Sequence, residues 1–245
     1  MAVIGIMDSG VGGLSVFREA VKLLPHERFI YYADNANCPY GDKSAAFICE
    51  RARAITELLI SKGAQVVVVA CNTATAAAIS TLRAEYDIPF IGMEPAVKPA
   101  ALGTETGVIG VLATAGTLKG SRYLETKGHY QDDVKIVEHV GRGFVELVES
   151  GDLHSENTFR TVEESIQPLL DAGADRIVLG CTHYPFLREV IEKIAGPQVQ
   201  VIDPAPAVAK HLLEVIGEKG IELGNSIGEN EFMASGTDAV LKKMI

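Results

Sequence analysis

Short runs of aliphatic residues recur along the chain, and each run ends at small or polar residues. The clearest run is Val66–Val69, which is followed closely by Cys71 and Asn72. A continuous apolar run of this length is typical of a strand that is buried on both faces, as in a parallel sheet. The alanine-rich stretch after it favours helix. The pattern therefore predicts a strand that ends near Cys71, at the carboxyl edge of a sheet where open α/β folds bind ligands.

The same design occurs a second time. Residues 177–179 form another aliphatic run that leads through Gly180 to Cys181, at a shift of 110 (181 minus 71). Further segments match at similar shifts: residues 94–96 with 203–205 (203 minus 94, or 109), and residues 3–7 with 108–112 (108 minus 3, or 105). This near-constant spacing predicts two related α/β halves, each of which ends one strand in a cysteine.

The remaining pattern predicts alternating strands and helices, which favours parallel sheets. Further strands are predicted at residues 3–7, 28–33, 88–92, 108–112, 134–137 and 199–202, and helices at residues 14–24, 44–62, 144–149, 159–170, 187–194 and 207–216. Residues 93–103 contain two prolines and no clear periodicity, so we expect them to form a crossing between the halves. The predicted fold class is α/β, with two pseudo-symmetric domains, mainly parallel sheets and an active site in the cleft between the domains.

The C-terminal tail is expected to return to the first half. It holds one predicted helix and then a short segment at residues 232–235. The first domain is therefore predicted to be discontinuous, with residues 1–96 plus 207–245, and the second domain is predicted at residues 97–206.

Composition limits the classes of function. The 245 residues are 47% hydrophobic and carry a formal net charge of −10, which argues against nucleic acid or an anionic membrane as a partner. No apolar run approaches the roughly 20 residues of a membrane span. The chain enters a strand at once, without the basic region of a signal peptide, so we expect a cytoplasmic protein. Its four cysteines include no C-x-x-C pair, and we expect reduced thiols.

Cys71 and Cys181 are the first candidates for chemistry. A free cysteine is often only a small buried hydrophobe. Here both cysteines end matched strands and precede hydroxyl, amide or imidazole groups, which favours function. If the halves pack about a pseudo-two-fold axis, the thiols face each other across the cleft. Two such groups suit a racemase or epimerase, because a thiol with a pKa of about 8.5 can both remove and return a proton.

The glycine-rich turn at residues 8–13 has two interpretations. A dinucleotide-binding loop, with Asp34 as the ribose acid, is disfavoured because the G-x-G-x-x-G frame that starts at Gly10 ends at Ser15. In the preferred interpretation, Ser9 and nearby backbone N–H groups bind a small carboxylate at a helix N-terminus. Asp8 then lies beside a thiol or an ammonium group, although an aspartate here can also be a simple N-cap.

His183 lies two residues after Cys181. We expect it to stabilise the Cys181 thiolate or to relay its proton. A zinc site is disfavoured because this spacing is unusual and no third ligand is evident, and Cys38 and Cys49 are too scattered to suggest a metal cage.

The loop at residues 38–41 and two threonines are weaker candidates for substrate contacts. The loop at residues 38–41 forms either a simple tight turn or a cover in which Tyr40 and the Gly41 N–H close over a substrate. Thr114 and Thr117 fall at the strand end that corresponds to the 8–13 turn, and their hydroxyls are candidate contacts.

No lysine stands at a strand end in these motifs, which argues against a pyridoxal enzyme and favours a reaction without a cofactor.

Four motifs together resemble the glutamate racemases in order and in spacing. They are residues 8–14, 38–41, 70–75 and 180–185, and the resemblance covers nearly the whole chain. It implies an enzyme without a cofactor or a metal that interconverts L- and D-glutamate and supplies D-glutamate for bacterial peptidoglycan. It also implies a homodimer.

The resemblance implies roles residue by residue. Cys71 matches the thiolate that removes the α-proton of D-glutamate, and Cys181 the one that acts on L-glutamate, with Asp8 and His183 as the groups that assist them. The expected substrate contacts are Asp8, Ser9, Pro39, Tyr40, Gly41, Asn72, Thr73, Thr114, Thr117, Glu149, Thr182 and His183. Glu146 stands where many relatives have proline, so the chain departs from the family pattern just before Glu149.

Two alternatives remain open. One is an aspartate racemase of the same fold, although aspartate-specific relatives usually lack the continuation seen here at residues 183–185. The other is a non-catalytic binding protein for acidic amino acids, which would need no pair of thiols.

Overall fold

The structure is a computed structural model that describes residues 1–226 and 228–245. The strands of this part of the chain are β1 Val3–Asp8, β2 Arg28–Ala33, β3 Val66–Val69, β4 Phe90–Gly92, β5 Val108–Ala113, β6 Lys135–Val140, β7 Arg176–Gly180, β8 Gln200–Ile202 and β9 Glu231–Ala234. The helices are α1 Leu14–Leu23, α2 Ala45–Ser61, α3 Asn72–Glu85, α4 Val97–Gly103, α5 Ala115–Leu118, α6 Ser121–Tyr130, α7 Phe144–Ser150, α8 Glu156–Asp171, α9 Arg188–Ala195, α10 Ala205–Glu218 and α11 Ala239–Met244.

The strands form two all-parallel sheets. The first has the order β4-β3-β1-β2-β9, and the second has the order β6-β5-β7-β8. Read in reverse, the second sheet repeats the first four strands of the first sheet, with β5 in the place of β1 and β7 in the place of β3. The register repeats as well, since Met7 lies opposite Val69 and Leu112 opposite Leu179. The predicted α/β class with two related halves is therefore confirmed.

Packing of helices against the two sheets also repeats. A Cβ atom on Gly5 in β1 would lie 3.1 Å from Leu59 Cδ1 of α2, and one on Gly110 in β5 would lie 2.9 Å from Leu169 Cδ1 of α8. Each glycine lets the helix approach the central strand of its sheet. The matched leucines and glycines therefore form the same contact in both halves.

Residues 93–103 were expected to form an irregular crossing, and the structure corrects this. Most of the stretch is helix α4, which buries Val97 and Ala100 against the second sheet. Its apolar face is short and made of small residues, and Pro99 lies in the first turn, where proline is tolerated. Helix α6 was not predicted either, because it buries only Tyr123 and so shows little hydrophobic periodicity.

The C-terminal segment packs on the first sheet. Strand β9 pairs in parallel with β2, and helix α10 packs along α1. We propose on this basis that the first domain comprises residues 1–96 plus 207–245 and the second domain residues 97–206. In residues 1–226 and 228–245, no helix is both long enough and apolar enough to cross a membrane.

Candidate active site

Cys71 lies where β3 ends and α3 begins. It caps the helix, since the Ala74 N–H donates to Cys71 Sγ at 3.4 Å, and its thiol donates to Ser9 Oγ at 3.7 Å. Only 5% of the residue is exposed. Burial, followed by the charge of Asp8, raises the pKa of this thiol to about 12, and the Ala74 N–H opposes the rise. The N–H at the start of the helix favours the Cys71 thiolate, but burial has the larger effect on the pKa.

Cys181 occupies the equivalent place after β7. It is also buried, with 6% of the residue exposed, and its Sγ lies 3.8 Å from His183 Nδ1. A negative charge on Cys181 contributes to the raised pKa of the Cys71 thiol. The two thiols therefore lie within electrostatic reach of each other, on opposite halves of the molecule.

Asp8 ends β1 and connects the two halves. Its Oδ1 accepts a hydrogen bond of 2.9 Å from Thr182 Oγ1, and its Oδ2 accepts one of 2.9 Å from the Gly10 N–H. It does not cap α1, which is preceded by Gly13 and has no side-chain cap. Burial raises the pKa of the Asp8 carboxyl, and the charge of His183 and the two hydrogen bonds oppose this only in part.

His183 is buried and lies against Glu149. The two side chains meet at 2.6 Å between His183 Nε2 and Glu149 Oε1, and the same carboxylate oxygen accepts a 2.7 Å hydrogen bond from the Val11 N–H. Burial lowers the pKa of the imidazole. Hydrogen bonds with the thiols of Cys181 and Cys38 and with Glu149 outweigh this effect and raise the pKa of His183 well above its ordinary value.

The glycines of the 8–13 turn allow the second half to approach. A Cβ atom on Gly10 would overlap Glu149, and one on Gly12 would overlap His183. The Val11 N–H is already bonded to Glu149, and both oxygens of Asp34 are bonded to Arg51. The Val11 N–H and the Asp34 carboxylate are therefore not free to bind the phosphates and the ribose of a dinucleotide. This agrees with the interpretation that the 8–13 turn is not a dinucleotide-binding loop.

The loop at residues 38–41 lies between the halves. Tyr40 is buried, and its hydroxyl donates to Asp34 Oδ2 at 2.6 Å, so this side chain anchors the loop to the first half. The Cys38–Pro39 peptide bond is cis. The Gly41 backbone packs on Thr114, with a Cβ at Gly41 expected only 3.3 Å from Thr114 Cβ. We therefore expect the backbone of this loop, more than the Tyr40 hydroxyl, to face a substrate.

Three predicted contact residues form a cluster of hydroxyls across the halves. Thr73 Oγ1 lies 2.8 Å from Thr114 Oγ1 and 3.4 Å from Thr117 Oγ1, and the latter two lie 3.0 Å apart. Beside them, Asn72 donates to the Met93 carbonyl oxygen at 3.2 Å. Its Oδ1 is buried and accepts no hydrogen bond from any residue that the structure describes.

A cavity of about 340 Å³ opens next to these groups. Its lining residues adjoin the site along the chain, and they include Pro39, Gly41, Thr114, Glu146 and Tyr184. Neither thiol lines it. The structure thus shows the two halves in contact over the thiols, with an open cavity at the edge of that contact.

Comparison with known proteins identifies the family. A family model described as Asp/Glu/hydantoin racemase matches residues 4–212. The chain is 47% identical over 242 residues to a glutamate racemase of Herpetosiphon aurantiacus. The aligned region covers 98% of this chain and 95% of the relative. The chain belongs to the Asp/Glu/hydantoin racemase family.

Solved structures of racemases from this family share the whole fold. A glutamate racemase of Bacillus anthracis has a TM-score of 0.89 at 33% identity, with 99% of this chain and 92% of that chain covered. The glutamate racemase of Escherichia coli, solved with L-glutamate and the activator UDP-MurNAc-Ala, has a TM-score of 0.88 at 32% identity, with 99% and 92% covered. The predicted family resemblance is confirmed.

Some contacts of this racemase-family site were not evident from the sequence. Cys38 approaches Glu149 and His183, although it lies 111 residues from Glu149 (149 minus 38). Asp34 and Arg51 hold the loop behind it. No local pattern signals these contacts, because each joins segments that are far apart or follow different periodicities.

Proposed function

We infer that this chain is a glutamate racemase, which interconverts L- and D-glutamate by moving the proton on the α-carbon. The observation that carries the inference is the placement of two thiols, Cys71 and Cys181, after equivalent strands of two related sheets whose carboxyl edges meet. The full-length similarity to glutamate racemases supports the same substrate. Because both thiols act as base in turn, the proposed reaction uses no cofactor.

The proposed chemistry is a two-base proton transfer. One thiolate removes the α-proton from one face of the amino acid, and the thiol on the other half donates a proton to the opposite face. We propose that Cys71 acts on D-glutamate and Cys181 on L-glutamate. Each thiol has its own assisting group, because Asp8 lies near Cys71 and His183 Nδ1 lies 3.8 Å from Cys181 Sγ.

The α-proton of an amino acid is weakly acidic, so the site must stabilise negative charge as it develops. The hydroxyl groups of Ser9 and Thr73 and the N–H groups at the start of α3 can donate next to the Cys71 thiol, whereas the Thr182 hydroxyl donates to Asp8 and offers its oxygen as an acceptor. Donors that are already oriented stabilise such charge without reorganisation, and this is usually the largest catalytic contribution. The same donors suit the two carboxylates of glutamate.

Asn72 offers an acceptor for the substrate ammonium group. A buried acceptor without a partner costs free energy, and Asn72 Oδ1 has no partner among the described residues. An ammonium group bound at this oxygen would supply a partner and place a positive charge near Cys71. That charge would lower the raised pKa of the Cys71 thiol and so favour the thiolate when substrate is bound.

We propose that the remaining predicted contacts, Pro39, Tyr40, Gly41, Thr114, Thr117 and Glu149, close the site around the substrate. The loop at residues 39–41 and the three-threonine cluster lie at the seam of the two halves. Opening of this seam would admit glutamate, and its closure would exclude water from the thiols.

The cellular role follows from the activity. A glutamate racemase supplies D-glutamate for peptidoglycan, and we propose a cytoplasmic homodimer in this role. Four free cysteines fit a reducing compartment. Size measurement in solution by light scattering tests the dimer, since a monomeric mass would contradict it.

The function is tested by incubating L-glutamate with the enzyme in deuterated water. We expect loss of circular dichroism and entry of solvent deuterium at the α-carbon, both without an added cofactor. L-aspartate in a parallel reaction tests the alternative substrate. Faster turnover of aspartate than of glutamate would show that aspartate is the substrate. Binding of glutamate without any exchange would support a binding protein instead.

A further inference from the structure

Three side chains with metal-binding atoms meet where the loop after β2 reaches the second half. They are Cys38, Glu149 and His183, and one ligand atom from each lies within 4.8 Å of the other two. No other group of three such side chains comes this close in residues 1–226 and 228–245. The proposed two-thiol reaction assigns no role to Cys38, so the position of Cys38 beside Glu149 and His183 needs a separate explanation.

We propose that Cys38, Glu149 and His183 form a binding site for a thiophilic divalent cation, zinc above all, and that occupation of this site blocks racemisation. The two parts of the proposal are separable. Cation binding stands on the geometry of the three side chains, whereas the block on racemisation rests on the proposed function.

The separations fit a tetrahedral ion after small side-chain movements. Zinc binds sulfur at about 2.3 Å and nitrogen or oxygen at about 2.0–2.2 Å, so its ligand atoms lie roughly 3.3–3.7 Å from each other. His183 Nε2 and Glu149 Oε1 lie 2.6 Å apart, and one ligand atom from each of the three residues lies within 4.8 Å of the other two. The required distances lie between these values.

The donor set also selects the cation. Thiolate and imidazole ligands favour zinc over magnesium or calcium, which take oxygen ligands. Cation binding would release the protons of the Cys38 thiol and of the His183 imidazolium. The resulting Cys38 thiolate and the Glu149 carboxylate then supply two negative charges to the divalent cation, beside a neutral imidazole of His183. Three protein ligands leave a fourth position for water, as in other zinc sites with an open position.

The ligands are held in place by their surroundings. The loop that carries Cys38 is tied to the C-terminal segment, since the Ala36 N–H donates to Ser235 Oγ at 3.0 Å and the Gly236 N–H donates to Asn35 Oδ1 at 2.8 Å. Glu149 is oriented by the Val11 N–H. Such preorganisation limits the conformational entropy that a cation must overcome.

The site is reachable from solvent. Cys38 and Glu149 are partly exposed, with 20% of the Glu149 side chain accessible. The 340 Å³ cavity is lined by their neighbours Pro39, Glu146 and Tyr184. A cation bound to His183 Nε2 would leave Nδ1 only as an N–H donor, so His183 could no longer accept and relay the proton of the Cys181 thiol.

Cobalt titration of the full-length protein tests the binding directly. Co²⁺ bound to a thiolate gives a charge-transfer band in the near ultraviolet, and zinc displaces it. We expect one equivalent to bind to the wild type with this band. Cys38→Ser should lose the band and bind at least about 100-fold more weakly, because even the loss of an outer-shell partner costs roughly 10–100-fold.

Two cysteine variants serve as controls. Cys49→Ser removes a thiol that donates to the Ala77 carbonyl oxygen within the first half, and Cys71→Ser removes a thiol of the proposed reaction. Both should keep the cobalt band. A band that survives in Cys38→Ser, or that disappears in Cys71→Ser, would place the cation on the reactive thiols and overturn the site.

Activity gives the second readout. We expect zinc to inhibit racemisation by the wild type, a chelator to restore it, and Cys38→Ser to resist inhibition at least about 10-fold relative to its own rate without metal. Equal sensitivity of the wild type and Cys38→Ser would contradict the block. If no racemisation occurs at all, the cobalt band still decides whether the cation site exists.

Discussion

The Thr182 hydroxyl donates a hydrogen bond of 2.9 Å to Asp8 Oδ1, across the interface between the two halves. Thr182 directly follows Cys181, one of the two cysteines proposed to react, and Asp8 is the acid expected to assist Cys71. The two thiol sites therefore share a polar contact, and a change at one is expected to alter the other.

Replacing Thr182 by valine should expose this coupling. The hydroxyl helps to lower the pKa of Asp8, so Thr182→Val should raise that pKa further and shift the acidic limb of the pH–rate profile to higher pH. Loss of a buried donor should also cost about 1–3 kcal/mol of stability. Thr182→Ser keeps the hydroxyl and serves as the control. An acidic limb that stays in place in Thr182→Val would argue against the coupling.

The two thiols should be individually necessary. Cys71→Ser and Cys181→Ser should each lower racemisation by about 10²–10⁴-fold or more, because a serine hydroxyl cannot replace the thiol as acid and base. In Cys71→Ser, Cys181 should still exchange the α-proton of L-glutamate with solvent without forming D-glutamate. Mass spectrometry together with chiral chromatography measures both outcomes. Near wild-type racemisation by either variant would refute the two-base mechanism.

The glycine at position 12 should be required for the position of His183. A Cβ there would overlap the imidazole, so Gly12→Ala must displace it. We expect a loss of kcat of about 10–100-fold, since a misplacement near 1 Å can have this effect. Gly128→Ala is a matched control, because a Cβ on this helical glycine meets no atom within 4 Å. Unchanged kcat in Gly12→Ala would show that His183 has no positional role.

The Asp34–Arg51 pair should make stability depend on acid pH. Burial raises the pKa of Asp34, but hydrogen bonds from Arg51, Tyr40 and Asn37 outweigh it and hold this pKa below its usual value. The folded-state pKa is thus lower than the unfolded one. The pair therefore contributes stability above the unfolded pKa of about 3.9, and this contribution is lost as pH falls through the folded-state pKa.

Urea unfolding at a series of pH values tests this assignment. Asp34→Asn leaves Arg51 without its partner and should cost about 3 kcal/mol near neutral pH, with a smaller loss of stability below pH ~4 than in the wild type. Asp238→Asn is the control, since Asp238 pairs with Lys242 on the surface and its loss should have little effect. Equal acid sensitivity of the wild type and Asp34→Asn would contradict the role of the pair.

Much of the fold could be predicted because its signals are local. The apolar runs of β1, β3, β5 and β7 are buried on both faces, and a strand of this kind needs no information from distant residues to be recognised. Their spacing indicated the repeat, and the comparisons confirmed the predicted family. Helices α4 and α6 were missed because small residues and exposed positions weaken the periodicity that marks a helix.

The sequence by itself determined the two related halves, the cysteine that ends one strand in each, and the family. Only the tertiary structure decided which groups meet between the halves. In the structure, the Thr182 hydroxyl donates to Asp8 and the Tyr40 hydroxyl donates to Asp34. Cys38 lies close to His183 and Glu149. The physical reason is that strand and helix patterns arise from neighbouring residues, whereas these contacts depend on how two separately formed sheets pack against each other.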